Sequence, residues 1–100
     1  MNSINDLVEG ATKYHLAVEN RDLELLKTAS KKDLEILDRD GESVFHYAAV
    51  NDDLEICKLL LKLNPSLKEI KCIEGKTALD WAKEYYNEYN SHLDIITYLI

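Results

Sequence analysis

From Asp38 to Leu61 the chain alternates apolar and polar positions at helical spacing in two short runs, DRDGESVFHYAAVNDDLEICKLLL. Phe45, Ala48 and Ala49 share one face of a first helix, and Leu54, Ile56, Cys57, Leu60 and Leu61 share one face of a second. Asn51-Asp52-Asp53 separates the two runs. Asp40-Gly41 is a turn dipeptide, because glycine reaches positive φ at no steric cost. Ser43 follows two residues later, where its hydroxyl can accept a bond from a free amide at a helix start. The small Ala48-Ala49 pair lets the two helices approach closely.

The same phrase recurs along the chain. Its three glycines, Gly10, Gly41 and Gly75, each stand two residues before a hydroxyl residue, Thr12, Ser43 or Thr77, at intervals of 31 and 34 residues. Each is followed by a helical block: TKYHLAVEN, SVFHYAAVN and TALDWAKEY. A second-helix phrase comes next, Asp22-Leu23-Glu24-Leu25-Leu26 and then Asp53-Leu54-Glu55-Ile56-Cys57, with Leu93-Asp94-Ile95-Ile96 displaced by about five residues in the third copy. One such helix pair cannot bury its apolar face alone, so pairs stack and about three are needed for stability.

The Asp38–Leu61 block resembles an ankyrin repeat, whose pattern is D-x-x-G-x-T-P-L-H-x-A-A, a short glycine loop, then L-E-I-V-x-L-L-L. Asp38, Gly41, Ser43, Phe45, His46, Ala48, Ala49, Leu54, Glu55, Ile56, Leu59 and Leu60 stand in its places. Val44 takes the proline position and Asp52 the loop glycine. The resemblance implies an all-α ankyrin-repeat solenoid of three stacked helix-turn-helix repeats with short turn or hairpin fingers. It implies a single ankyrin-repeat domain over residues 1–100, with repeats at about 3–37, 38–71 and 72–100.

Ser3 and Asp6 suit a helix start, and Ile4, Leu7, Val8, Ala11, His15 and Val18 keep a helical beat. This allows one helix of about residues 4–19 through Gly10, or a break at Gly10 with a fresh start at Thr12; the break is preferred. Leu23, Leu25, Leu26 and Ala29 supply the buried side of the next helix. Ser30-Lys31-Lys32-Asp33 is polar and reads as a loop, after which Leu34 and Ile36 tuck back. Asn64-Pro65-Ser66 ends the second helix of repeat 2, since proline cannot continue one, and Leu67 takes the tucked-back position. Asp80 stands third after Thr77, as a capping box requires. Tyr85–Asn90 overlaps an insertion that either lengthens the first helix of repeat 3 or widens its loop. The last helix spans about 92–100.

Composition narrows the function classes. The formal net charge of -7 disfavours a nucleic-acid partner, whose phosphates need Lys or Arg. It favours a basic one. Two cysteines make no disulfide framework, and with no signal peptide both read as reduced thiols of an intracellular protein, cytoplasmic or nuclear, or in a host cell if a secreted effector. Cys57 reads as a small apolar filler, Cys72 as partly exposed. No stretch approaches a membrane span, so no membrane partner is expected.

Candidate chemistry is sparse. His15 and His46 are the obvious catalytic candidates, but nothing at triad spacing accompanies them. The resemblance implies that both are structural, bonding across to neighbouring turns while Thr12 and Ser43 cap their helices. His92 reads as a surface or N-terminal helix residue. No C-x-x-C, H-x-x-x-H or C-x-x-H pair is present, and no phosphate- or dinucleotide-binding glycine motif, so neither metal nor cofactor is expected. Asp52-Asp53 and Glu84-Glu88 read as solvated acidic faces.

The aromatics crowd one segment, with Trp81 and Tyr85 four apart on one helical face near Tyr86 and Tyr89. They serve either as binding anchors or as the closing end of the core, with Trp81 the more buried and Tyr85 the more superficial. The resemblance implies partners on the concave side formed by turn tips and first helices. The matching positions are Arg39, Asp40, Glu42, Val50 and Asn51, then Ile73, Glu74, Lys76, Glu84 and Tyr85, with Glu19, Asn20 and Trp81 beside them. This set is more acidic than basic, whereas Lys27, Lys31, Lys32, Lys58 and Lys62 lie on second helices and their exits. A protein-protein interaction module without catalysis is therefore expected, binding a protein or peptide that carries Lys or Arg around a small apolar anchor. The alternative is a targeting or regulatory portion of a longer enzyme or pathogen effector whose catalytic part lies beyond residue 100. The apolar Tyr98-Leu99-Ile100 end also suggests self-association.

Overall fold

Hydroxyl and carboxylate side chains set where the helices begin. The computed structural model describes residues 9–100. Gly10 has φ of 89° and Thr12 caps helix α1 (Lys13–Asn20), so the chain breaks at Gly10. The start at Ser3 and Asp6 and the apolar beat at Ile4, Leu7 and Val8 lie outside the described residues. Asp22 caps α2 (Leu23–Lys27), Ser43 caps α4 (Val44–Val50), Asp53 caps α5 (Leu54–Leu63) and Thr77 caps α6 (Ala78–Tyr89). Each such cap contributes about 1 kcal/mol. The last helix, α7 (Leu93–Leu99), begins after His92.

One expected loop is a helix. Ser30 accepts the Asp33 amide and the Asp33 carboxylate accepts the Ser30 amide, so this capping box starts a short α3 (Lys31–Glu35). Of the two residues expected to tuck back, Leu34 is fully buried but Ile36 stays exposed. A five-residue helix buries one side chain of a single turn and leaves the rest to solvent.

The helices file in two rows. In the first, α4 packs between α1 and α6; in the second, α5 packs against α2 and α7. Each first helix also packs on its own second helix. Phe45, Ala48, Ala49, Ile56, Cys57 and Leu60 form the middle of the core and are essentially inaccessible. Burying a side chain such as Leu60 or Phe45 is worth about 1.5–3 kcal/mol. Leu54 and Leu61 are only partly buried at its margin. The described residues form helices and turns, with no strand.

Asn64 ends α5, and Pro65 opens a 3-10 helix (Pro65–Glu69) that turns Leu67 into the core. Buried Asn64 donates to the Lys31 carbonyl (3.1 Å) and to Glu35 (3.0 Å), joining this exit to α3 of the repeat before. The insertion lengthens α6 to twelve residues, against eight in α1 and seven in α4, and Asn90 stops it in the left-handed conformation.

The turns between repeats form the fingers. The Asp38 carboxylate accepts the Asp40 and Glu42 amides, both at 2.9 Å, and the Tyr47 hydroxyl at 2.6 Å. Neighbouring fingers bond through their backbones: the Arg39 amide donates to the Glu9 carbonyl and the Ile73 amide to the Asp40 carbonyl. Gly41 has φ of 78°, and a Cβ there would stand 2.8 Å from the Ile73 nitrogen. This position therefore needs glycine twice over, for conformation and for the approach of the next finger.

Candidate partner-binding face

The two repeat histidines hold the fingers to the helices. His15 Nδ1 accepts the Thr12 amide and its Nε2 donates to the Glu42 carbonyl, each at 3.0 Å. His46 does the same with the Ser43 amide (3.1 Å) and the Lys76 carbonyl (2.9 Å). An amide can only donate and a carbonyl can only accept, so both rings are neutral with the proton on Nε2. Burial lowers both pKa values further. Both histidines are thus fully engaged in structure, as expected.

His92 stands at the N-terminus of α7, one of the two places expected for it, but it is buried rather than superficial. It has φ of 68°, and its Nε2 donates to the Val50 carbonyl at 2.8 Å. It adds a second histidine link, beside that of His46, across the joint between repeats 2 and 3. Cys72 is likewise buried rather than partly exposed. Burial pushes the Cys57 thiol up to about 12.

Beside the second finger, Glu19, Asp38, Asp40, Glu42, Tyr47, Val50 and Asn51 line an open depression of about 260 Å³. Asn51 donates to Glu19 at 2.6 Å, which fixes the far wall. Desolvation, then Asp38, Asp40 and Glu74, raise the Glu42 pKa to about 7. The Arg39 guanidinium lies 3.9 Å from Asp40 but is well exposed. Sequence reasoning did not single out Asp38 and Tyr47 for this face, although Tyr47 stands three residues before Val50 and four before Asn51, on the same helix side.

The third finger and α6 form the neighbouring part. Ile73 projects from the tip, 77% exposed. The Lys76 ammonium pairs with Glu84, approaches Glu74 at 4.0 Å and lies 4.5 Å from the centre of the Trp81 ring. Trp81 and Tyr85 are both half-buried, so the expected contrast between them is absent. Tyr85 stacks on His92 at 4.9 Å and lies 5.8 Å from Tyr89. Trp81, Glu84, Tyr85, Glu88 and Tyr89 line a cleft of about 150 Å³. Tyr89 was one of the aromatics singled out in the sequence, whereas Glu88 had read as a solvated face; they continue the stripe by seven and eight residues from Trp81 because the insertion is helical. The Trp81 indole N–H is shielded from solvent and has no acceptor among the described residues.

The exposed Lys27, Lys31, Lys32, Lys58 and Lys62 sit on α2, α3 and α5. Among the described residues no cluster of three metal-ligating side chains occurs and no helix is long and apolar enough to cross a membrane. A family model of ankyrin repeats, in three copies, matches residues 14–100. No curated protein gives a significant match to the chain.

Proposed function

The chain belongs to the ankyrin-repeat family, and on that premise we propose that it is a binding module, without catalysis of its own, for a protein segment rich in Lys or Arg. Ankyrin repeats are protein-protein interaction modules in general. The observation that carries the finer reading is the depression beside the second finger, lined by the acidic residues Glu19, Asp38, Asp40 and Glu42 together with Tyr47 and Val50. Desolvation by burial, and then the nearby Asp38, Asp40 and Glu74, push the Glu42 pKa up, and an incoming cation relieves the crowding of negative charge. Ile73 stands beside it as an exposed apolar contact. The binding residues are Arg39, Asp40, Glu42, Val50, Asn51, Ile73, Glu74, Lys76, Trp81, Glu84 and Tyr85.

Capture of partners from lysate, compared between the native chain and D40K/E42K/E74K, tests this. The triple variant is expected to lose its captured partner, and the native complex to associate more slowly as salt rises. Equal capture by both, with no salt dependence, would place the partner elsewhere. A second reading, pairing of two copies, draws on the cleft of about 430 Å³ lined by Phe45, Lys68, Glu69, Lys71, Thr77, Leu79 and Leu99, and on exposed Leu93 and Tyr98. A mass that rises with concentration supports it; a constant monomer mass removes it.

A further inference from the structure

The insertion in repeat 3 makes α6 about a turn longer than α1 and α4, and the added turn lines a cleft. Trp81, Glu84, Tyr85 and Glu88 follow at i, i+3, i+4 and i+7, so they share one helix face, with Tyr89 at its edge. At ~30 Å³ per water, about 150 Å³ is room for about five waters, or the head of one long side chain.

The walls specify a cation. Three aromatic residues, Trp81, Tyr85 and Tyr89, line the cleft together with the carboxylates of Glu84 and Glu88. The chain itself shows what the rim holds: the Lys76 ammonium sits over Trp81 and pairs with Glu84. That pair neutralises Glu84. Glu88 has no cationic side chain within ion-pair distance among the described residues. Its charge instead raises the pKa of the neighbouring Tyr89 phenol. Of the two carboxylates in the cleft, Glu88 is therefore left without a counter-ion among the described residues.

We infer that this cleft is a socket for one arginine side chain of the protein partner. The inference rests on the basic-partner reading above. Arginine suits it better than lysine, because a planar guanidinium stacks on an aromatic ring while its edge donates two parallel bonds to a carboxylate. It is also the more weakly hydrated cation, so entering a half-open cleft costs it less.

Trp81 is the sole tryptophan, so its fluorescence reports on the cleft directly. The probe is a dye-labelled acetyl-(Ala-Arg)3-amide peptide, with its citrulline counterpart and free arginine amide as controls. The arginine peptide is expected to raise dye anisotropy and shift Trp81 emission with one midpoint, and the citrulline peptide to do neither. Glu88→Gln and Tyr89→Ala, both surface changes with helicity checked by circular dichroism, are expected to weaken binding about tenfold. An anisotropy rise without a Trp81 response, or native affinity in both variants, overturns the socket and leaves the basic-partner reading standing. No anisotropy rise with the arginine peptide overturns both. Saturation by free arginine amide at the same concentration as the peptide overturns the assignment to a partner's side chain.

Discussion

His46 accepts an amide at one ring nitrogen and donates to a carbonyl from the other, and His15 repeats the arrangement one layer earlier. Their lowered pKa values make the unfolded chain take up protons first as pH falls below about 6.5. Their contribution is full above that value and is lost as pH drops toward the folded pKa. Glu42 acts in the opposite sense. Its folded pKa of about 7 exceeds the ordinary 4.5, so its contribution is full below 4.5 and is lost as pH rises through 7. Glu42→Gln keeps the neutral form at every pH. The variant is expected to melt a few degrees higher than the native chain at pH 8 and level with it at pH 4, measured by circular dichroism. The roles of His15 and His46 were legible through the resemblance to the ankyrin pattern, which has a structural histidine three residues after the hydroxyl cap. His92 was not, because a left-handed residue after a five-residue insertion carries no local pattern.

Fingers and helix joints show where a single backbone conformation matters. Gly41 and Gly75 share φ of 78°, but a Cβ at Gly41 meets the next finger at 2.8 Å while one at Gly75 meets nothing within 4 Å. Both alanine variants bear the left-handed cost of about 1 kcal/mol. Gly41→Ala adds displacement of the Ile73 backbone, so urea unfolding is expected to rank it at least about 1 kcal/mol below Gly75→Ala. Equal losses would show that the finger contact carries no stability. Asp52 stands where the family has its loop glycine and adopts φ of 57°. It is exposed, so Asp52→Gly is expected to raise stability by up to about 1 kcal/mol. The caps at Thr12, Ser43 and Thr77 could be read from hydroxyl spacing alone. Helix α3 escaped notice because five residues are too few to show apolar periodicity, although the Ser30-x-x-Asp33 pair was its start signal. The insertion could be placed but not shaped, since Tyr85–Asn90 suits a helix until Asn90 turns left-handed.

Stacking converts these joints into two unlike sides. Fingers and first helices gather Glu19, Asp40, Glu42, Glu74 and Glu84, while the exposed lysines of α2, α3 and α5 occupy the other row. The excess of acid over base on the first side was legible from the repeat register. The two depressions were not, because their walls depend on Asp38 turning inward to its own loop and on α6 running a further turn. Charge alone does not define a binding face, but here it coincides with concave ground and with the aromatic stripe on α6. The most direct test is a map of backbone amide shifts as the acetyl-(Ala-Arg)3-amide peptide is added to the isotopically labelled chain. The expected shifts concentrate at Asp40, Glu42, Asn51, Glu74, Trp81 and Tyr85. Shifts confined to Lys58, Lys62 and their neighbours on α5, or to α7, would contradict the assignment.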